Sequence, residues 1–517
     1  MKAQDYKISS EKFVFHSTNE NIHDTKLETK PVSYMKDAFY RFTRNKGSIF
    51  AAIVIGILVL FALIVPMISR YEVSYNDTYY RFTLPKSKVM EKLNIPFWDG
   101  AKETEITEET YLQYKAIAQE TGLSPFKSDV TERVEVYMKK ETKYYSFRLD
   151  SYYKVGVVYK DITDEEYKAI QEYQDRTGIQ IIYPQVDPTH HLTNIAEQDK
   201  TNANYWYLTK IGGGNKTVTV LDKNGELIPV YKAYTGNDGY NSIRIEDNNA
   251  KKYDYAIANQ SGWRVRLCYY NYYIYYHSEV LKDGITEPLF LLGTTNYGQD
   301  ILTCLSSGAR FSFILAIIVA SVNLVVGAIY GAIEGYYGGK TDLIMERVCD
   351  VLGSIPFMIV ITLLKYHLDV SHILILFISF FLTGWMGMAG RTRMQFYRFK
   401  NQEYVLVART LGARDKRIMF KHIFPNAIGT LITGSVLVIP SVIFSETSLS
   451  YLGIISLNTG NLTSVGTLLA TGQNYLFTYP HMILFPAIFI SLLMLSFNLF
   501  GNGLRDAFNP SLRGSEE

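Results

Sequence analysis

Long charge-free runs alternate with polar stretches along this chain, and their lengths predict membrane helices. Ser48–Ser69, SIFAAIVIGILVLFALIVPMIS, carries no charge, and roughly 20 such residues in a helix cross an apolar bilayer core about 30 Å thick. Further apolar blocks at about 311–333, 343–364, 373–389, 427–444 and 482–499 raise the predicted spans to six. The third block holds Glu346, Arg347 and Asp350 in its first two turns, where a charge is costly unless it is paired or lies near the interface. Arg347 and Asp350 are spaced i, i+3, which predicts a local ion pair at an interfacial helix start. Glu346 and Asp350 also share one helix face, so a proton relay is the competing reading.

Between the first two spans the pattern changes. Short runs at Val134–Met138, Tyr144–Leu149 and Val218–Leu221 predict strands, as does the alternation in RVRLCYYNYYIYYH up to His277. An imperfect repeat, ITEETYLQYKAIAQETG at Ile106–Gly122 and ITDEEYKAIQEYQDRTG at Ile162–Gly178, predicts two capped helices. Thr163 and Glu166 have capping-box spacing, and Gly122 and Gly178 stand where a helix stops. Two related α/β subunits in one α+β domain follow.

Charge supplies the topology. The 52 basic and 50 acidic residues nearly cancel, which gives no nucleic-acid signal. Nine Lys or Arg lie between Arg391 and Lys421 against only Glu403 and Asp415, and such an excess marks a cytoplasmic loop. Both termini are then cytoplasmic and Tyr71 to about Gly308 lies outside. Of the 41 tyrosines, 28 fall between Tyr71 and Tyr276, suiting either a partner surface or a packed core. The three cysteines and the His190–His191 pair lack disulfide or metal spacing. Gly335–Thr341 resembles a phosphate loop, but Glu334 occupies the position of its first glycine and a membrane helix precedes it. No catalytic constellation and no ATP site is expected.

The basic loop has internal order. Glu403–Asn426, EYVLVARTLGARDKRIMFKHIFPN, spaces Tyr404, Val405, Val407, Ala408 and Leu411 as a helix that Gly412 stops. A second basic helix is predicted to end at Pro425. Such a knob suits force transmission from a soluble partner.

Four stretches, in this order, resemble the permease subunits of ATP-binding-cassette importers, specifically the dipeptide and oligopeptide permease C-type subunit. They are FTRNKGSIFAAIVIGILVLFALIVPMIS, EPLFLLGTTNYGQDILTCLSSGARFSF, the basic loop, and FNLFGNGLRDAFNP. The second retains Gly293, Thr294, Gly298 and Asp300 of the family's G-T-D-x-x-G-R-D, with Thr295 and Gln299 replacing the usual Asp and Arg. Asp350, Pro356, Gly501, Gly503, Arg505, Asp506 and Pro510 complete the signature.

The resemblance implies an α-helical polytopic membrane protein of about six transmembrane helices in the binding-protein-dependent importer permease fold, with a large α+β extracellular insertion between helices 1 and 2. Expected divisions are 1–47 (cytoplasmic), 48–69 (first span), 70–286 (extracellular Tyr-rich domain), 287–510 (permease core, coupling loop 390–426) and 511–517 (cytoplasmic tail). A coupling helix over about Glu403–Ala413 is expected to dock on an ATPase, through Glu403, Ala408, Arg409, Gly412, Ala413, Arg414 and Pro425. Ser354, Thr383, Trp385, Ser441, Ser445 and Glu446 are the pathway candidates, with Glu446 placed to meet a peptide amine or an arginine. Implied partners are a second permease, two ATPase subunits that bind ATP and Mg, an extracellular peptide-binding lipoprotein, lipid and peptide substrate, in a bacterial cell membrane. Nickel or another small solute is an alternative cargo. An ion-coupled carrier and a membrane-anchored surface receptor are the alternatives of another class.

Overall fold

The structure is a computed structural model that describes residues 34–93, 95–137, 140–187, 202–213, 217–236, 243, 252–457 and 462–508. His190, His191, Pro510 and the segments 1–33 and 509–517 lie outside the described residues. Helix α1 (Tyr34–Arg44) leads into the first span, α2 (Lys46–Ile68). Asn45 starts that span, its side-chain oxygen accepting from the Gly47 and Ser48 amides at 3.0 and 3.2 Å.

The inserted region holds α3 (Lys88–Lys92), β1 (Ala101–Thr107), α4 (Glu108–Thr121), β2 (Thr131–Tyr137), β3 (Lys140–Asp150), β4 (Val157–Ile162), α5 (Asp164–Thr177), β5 (Ile182–Tyr183), β6 (Thr209–Ile211), β7 (Thr217–Thr219), β8 (Ala256–Asn259), β9 (Gly262–Cys268) and α6 (Tyr269–Tyr275). The repeat seen in the sequence is a repeat of topology. In each copy a strand runs into a helix and pairs antiparallel with the last strand of a later hairpin, giving the order β1-β3-β2 in one sheet and β4-β9-β5 in the other, where β8 also pairs with β9. Equivalent isoleucines hold equivalent registers, Ile106 opposite Tyr145 and Ile162 opposite Trp263. Gly122 and Gly178 both end their helices at φ +70, and Thr163 accepts from the Glu166 amide.

One prediction here is corrected. The strand ends at Cys268, and YYNYYIY is helix α6 followed by a π-helical turn, Tyr276–Leu281. Four of its tyrosines are buried, Tyr269, Tyr272, Tyr273 and Tyr275, and the first three fall at i, i+3 and i+4, a helical period that the surrounding tyrosines mask in the sequence. They pack with Tyr80, Tyr152, Trp263 and Phe290 in one core.

The membrane part comprises α7 (Ile301–Tyr337), α8 (Gly339–Gly353), α9 (Phe357–His367), α10 (His372–Phe399), α11 (Glu403–Thr410), α12 (Asp415–Tyr451), α13 (Val465–Gln473) and α14 (His481–Ala507). Among the described residues five helices, α2, α7, α10, α12 and α14, are long and apolar enough to cross a membrane, and the α8–α9 pair, bent by 71° at its break, makes the third predicted span a broken one. Pro356 caps α9 at that bend. On α7, Gly327, Gly331 and Gly335 line up at every fourth residue against α10, where a Cβ on Gly327 would meet the Trp385 carbonyl at 2.6 Å and one on Gly335 the Arg393 carbonyl at 2.7 Å. Backbones approach that closely only with small residues between them.

Candidate functional site

The basic loop is built from α11 and the start of α12. Gly412 lies at φ +81, the left-handed conformation that favours glycine. Its amide donates to the Arg409 carbonyl and that of Ala413 to the Ala408 carbonyl, both at 3.0 Å. These are the paired bonds of a Schellman cap, so Ala408, Gly412 and Ala413 form one local device. Val405 turns inward onto Ile418, Met419 and Ile423 of α12, Ala332 and Tyr336 of α7 and Phe396 of α10, and Ala408 on the same helix is buried as well. The opposite face is open and apolar: Leu406 and Val407 are exposed, and Leu411 at the tip is 82% exposed. Glu403, Arg409, Arg414, Lys416 and Arg417 ring this patch in solvent. Asp415 accepts from the Tyr336 hydroxyl at 2.6 Å, fastening the loop to α7.

Pro425 does not end a helix, contrary to the prediction. α12 runs from Asp415 to Tyr451, so it also begins well before Ala427, where the fifth apolar block starts. A π-helical stretch, Ile418–Ile423, stands directly before Phe424 and Pro425. That wider turn accommodates a residue that cannot donate an amide bond and would crowd the preceding carbonyl.

Behind the loop stands an ion cluster. Arg393 on α10 reaches Asp342 at 2.6 and 2.9 Å and Glu346 at 2.7 and 2.9 Å, both on α8, with Glu334 of α7 at 3.5 Å. Tyr397 also donates to Asp342. The predicted Arg347–Asp350 pair is present at 2.9 Å. Glu346 belongs instead to Arg393, 47 positions away, a partner that local spacing cannot reveal. The Gly327–Gly331–Gly335 ladder was also missed, although its four-residue period is readable.

The second signature is a tight loop. Thr294 is buried, its hydroxyl donating to the Tyr80 carbonyl and accepting from the Thr83 amide. Gly293 and Gly298 have φ of +79 and +77. Thr295, in the place of an aspartate, accepts through its hydroxyl from the Tyr297 and Gln299 amides at 3.2 Å, and Gln299 donates to the Val73 carbonyl at 2.9 Å. Both departures therefore preserve the turn. Asp300 caps α7 by accepting from the Thr303 amide and hydroxyl, and burial pushes its carboxyl up to about 6. In the last signature, a Cβ on Gly501 would strike Leu437 and one on Gly503 would strike Ser48, so these glycines bring α14 against α12 and α2. Arg505 and Asp506 are exposed.

The six pathway candidates each have separate local surroundings. Ser354, Thr383 and Ser441 spend their hydroxyls on carbonyls of the preceding turn. Trp385 packs on Tyr330 at 4.7 Å between ring centroids, and Ser445 is half-buried. Glu446 is fully buried and accepts from Ser312 and Ser450 at 2.8 and 3.0 Å. It ties α12 to α7, and among the described residues no arginine pairs with it.

Comparison with known proteins agrees with this architecture. Residues 324–514 match the profile of the binding-protein-dependent transport system inner membrane component, and residues 33–85 match the N-terminal TM domain of oligopeptide transport permease C. The oligopeptide transport system permease protein OppC of Bacillus subtilis is 42% identical over 221 residues, which cover 43% of this chain and 72% of that protein. The dipeptide transport system permease protein DppC of the same organism is 37% identical, covering 45% and 74%. OppC of Haemophilus influenzae is 37% identical, covering 44% and 72%. Most of the insertion lies in the stretch 86–323, outside both profile matches. The chain belongs to the permease family of binding-protein-dependent ATP-binding-cassette importers, in the oligopeptide permease C branch.

Proposed function

We propose that this chain forms one half of a peptide-conducting channel, with a second permease as the other half, and that two separate ATPase subunits drive it from the cytoplasm. A binding lipoprotein delivers the peptide from outside, where the insertion stands. The chain contributes no ATP site of its own. What carries the reading is α11: a short helix held from behind by Val405 and Ala408, ended by the Gly412 cap, and offering Leu406, Val407 and Leu411 to solvent within a ring of charges. An apolar centre with a polar rim is the anatomy of a protein docking surface. Force applied there passes through the packed cluster into α7 and α10, which the glycine ladder joins, and through Arg393 into α8. Rigid-body tilting between inward-open and outward-open states follows from such stiff links.

The test uses the reconstituted four-subunit complex with its binding protein. Gly412→Asp places a like charge near the acidic side of any partner groove, while aspartate tolerates the left-handed backbone better than most residues. Expected is normal membrane insertion with peptide uptake reduced about tenfold or more and ATP hydrolysis no longer tied to the binding protein. Normal uptake by this variant and by Leu411→Asp would overturn the coupling role.

A further inference from the structure

A cavity of about 400 Å³ lies where the first span leaves the bilayer, between the end of α2, the start of α7 and the segment Ile285–Leu291. Val65 and Ile68 form one wall, Leu289 and Leu291 the other, and Leu302 contributes from α7. The same turns of α2 expose Ile64 and Met67, so the apolar wall is continuous with a face turned to hydrocarbon.

The polar groups are unevenly satisfied. Lys88 is ion-paired with Glu287, and Asp300 accepts from Thr303 through one carboxylate oxygen while its buried Oδ1 meets no hydrogen-bond partner among the described residues. Arg70 donates to the Gly284 carbonyl, and no carboxylate pairs with it among the described residues. A guanidinium with spare donors at head-group depth is a phosphate ligand by geometry and charge. A free anion would leave the apolar walls uncovered, and a hydrocarbon chain alone would leave the guanidinium unmatched. An amphiphile satisfies both.

We propose that this cavity holds one membrane glycerophospholipid, its phosphodiester on Arg70 and the start of an acyl chain along Val65 and Ile68. The bound lipid fills the seam between the first span, the second span and the base of the insertion, and stabilises their mutual placement. This site does not depend on which solute the chain carries.

The experiment is native mass spectrometry of the full-length chain in its complex, released from nanodiscs of phosphatidylglycerol or of phosphatidylethanolamine. One retained phospholipid per chain is expected, with occupancy falling about tenfold in Arg70→Gln. Arg70→Lys should recover part of it, and Arg81→Gln, at an exposed arginine outside the cavity, should leave it unchanged. Should Arg70→Gln fail to insert, the delipidated wild-type complex in detergent decides: added phospholipid should raise its Tm, and inorganic phosphate alone should not. The proposal is overturned by equal lipid retention in Arg70→Gln, by no retained lipid in the wild type, or by inorganic phosphate raising Tm as much as the lipid does.

Discussion

Arg393 shows how much a single side chain can tie together. It holds Asp342 and Glu346 of α8 with both edges of its guanidinium while riding on α10. Arg393→Ala would leave Asp342, Glu346 and Glu334 facing one another, at a cost on the order of 2 kcal/mol. A lower Tm and loss of uptake are expected, and Arg393→Lys should rescue only partly because an ammonium cannot pair bidentately with two carboxylates. Asp300 gives a pH prediction. Its folded-state carboxyl is raised to about 6 by burial, so between about 4 and 6 the folded chain holds a proton that the unfolded chain releases. Stability from this group is therefore greatest at acid pH and declines as pH rises through about 6. Asp300→Asn keeps a capping acceptor without the charge, and its Tm should fall less between pH 5 and 7.5 than that of the wild type. Asp300→Ala, which loses both the cap and the titrating group, should cost most at acid pH, on the order of 1 kcal/mol or more, and less as pH rises through about 6. The Thr163 cap and the Arg347–Asp350 pair were legible because their partners lie three residues away. Arg393 with Glu346, and Glu446 with Ser312, were not, because contacts across helices leave no spacing to read.

Among elements, the long apolar helices were the most legible, since length and absence of charge suffice to recognise them. The break in the third span was not: Pro356 was noted as part of a signature, but the 71° bend depends on how α8 and α9 pack. Tyrosine-rich α6 was misread because a residue type that suits strands filled both faces, hiding the helical period. Pro425 was misread because a π-helical turn lets a helix continue where proline would otherwise stop it. The glycine ladder offers a test at this scale. Gly331→Leu would drive a side chain into the Ala389 carbonyl and Thr392, which overpacking data place at about 1–3 kcal/mol. Looser packing of α7 on α10, read as a lower Tm and faster amide exchange in both helices, is the expected outcome, with the smaller Gly331→Ala showing the same change to a lesser degree.

For the molecule as a whole, the insertion is fastened to the membrane core and does not hang from two linkers. Phe82, at a positive φ of 58, stacks on Tyr479 at 4.6 Å and meets Tyr475 edge-on at 4.7 Å, in the segment before α14. Lys102 lies over the same Tyr479 ring, and Trp98 donates to the Leu291 carbonyl and packs near Phe485. A bulky residue held in the left-handed region needs such surroundings to keep it there. Phe82→Ala should loosen this joint, seen as faster amide exchange in 95–107 with little change within α7. No sequence pattern announces the joint, since Phe82 and Tyr479 are ordinary aromatics almost 400 positions apart.

The consequence is optical leverage. With its base wedged against the last span, the inserted domain must turn whenever that span tilts, and the hairpin of β2 and β3 within it presents Val136 at 67% exposure. A small angle at the wedge becomes a large displacement at the tip, as with a needle on a gauge. A spin or fluorescent label at Val136, paired with one in the membrane part, should therefore read out each tilt of that span without a probe inside the helix bundle.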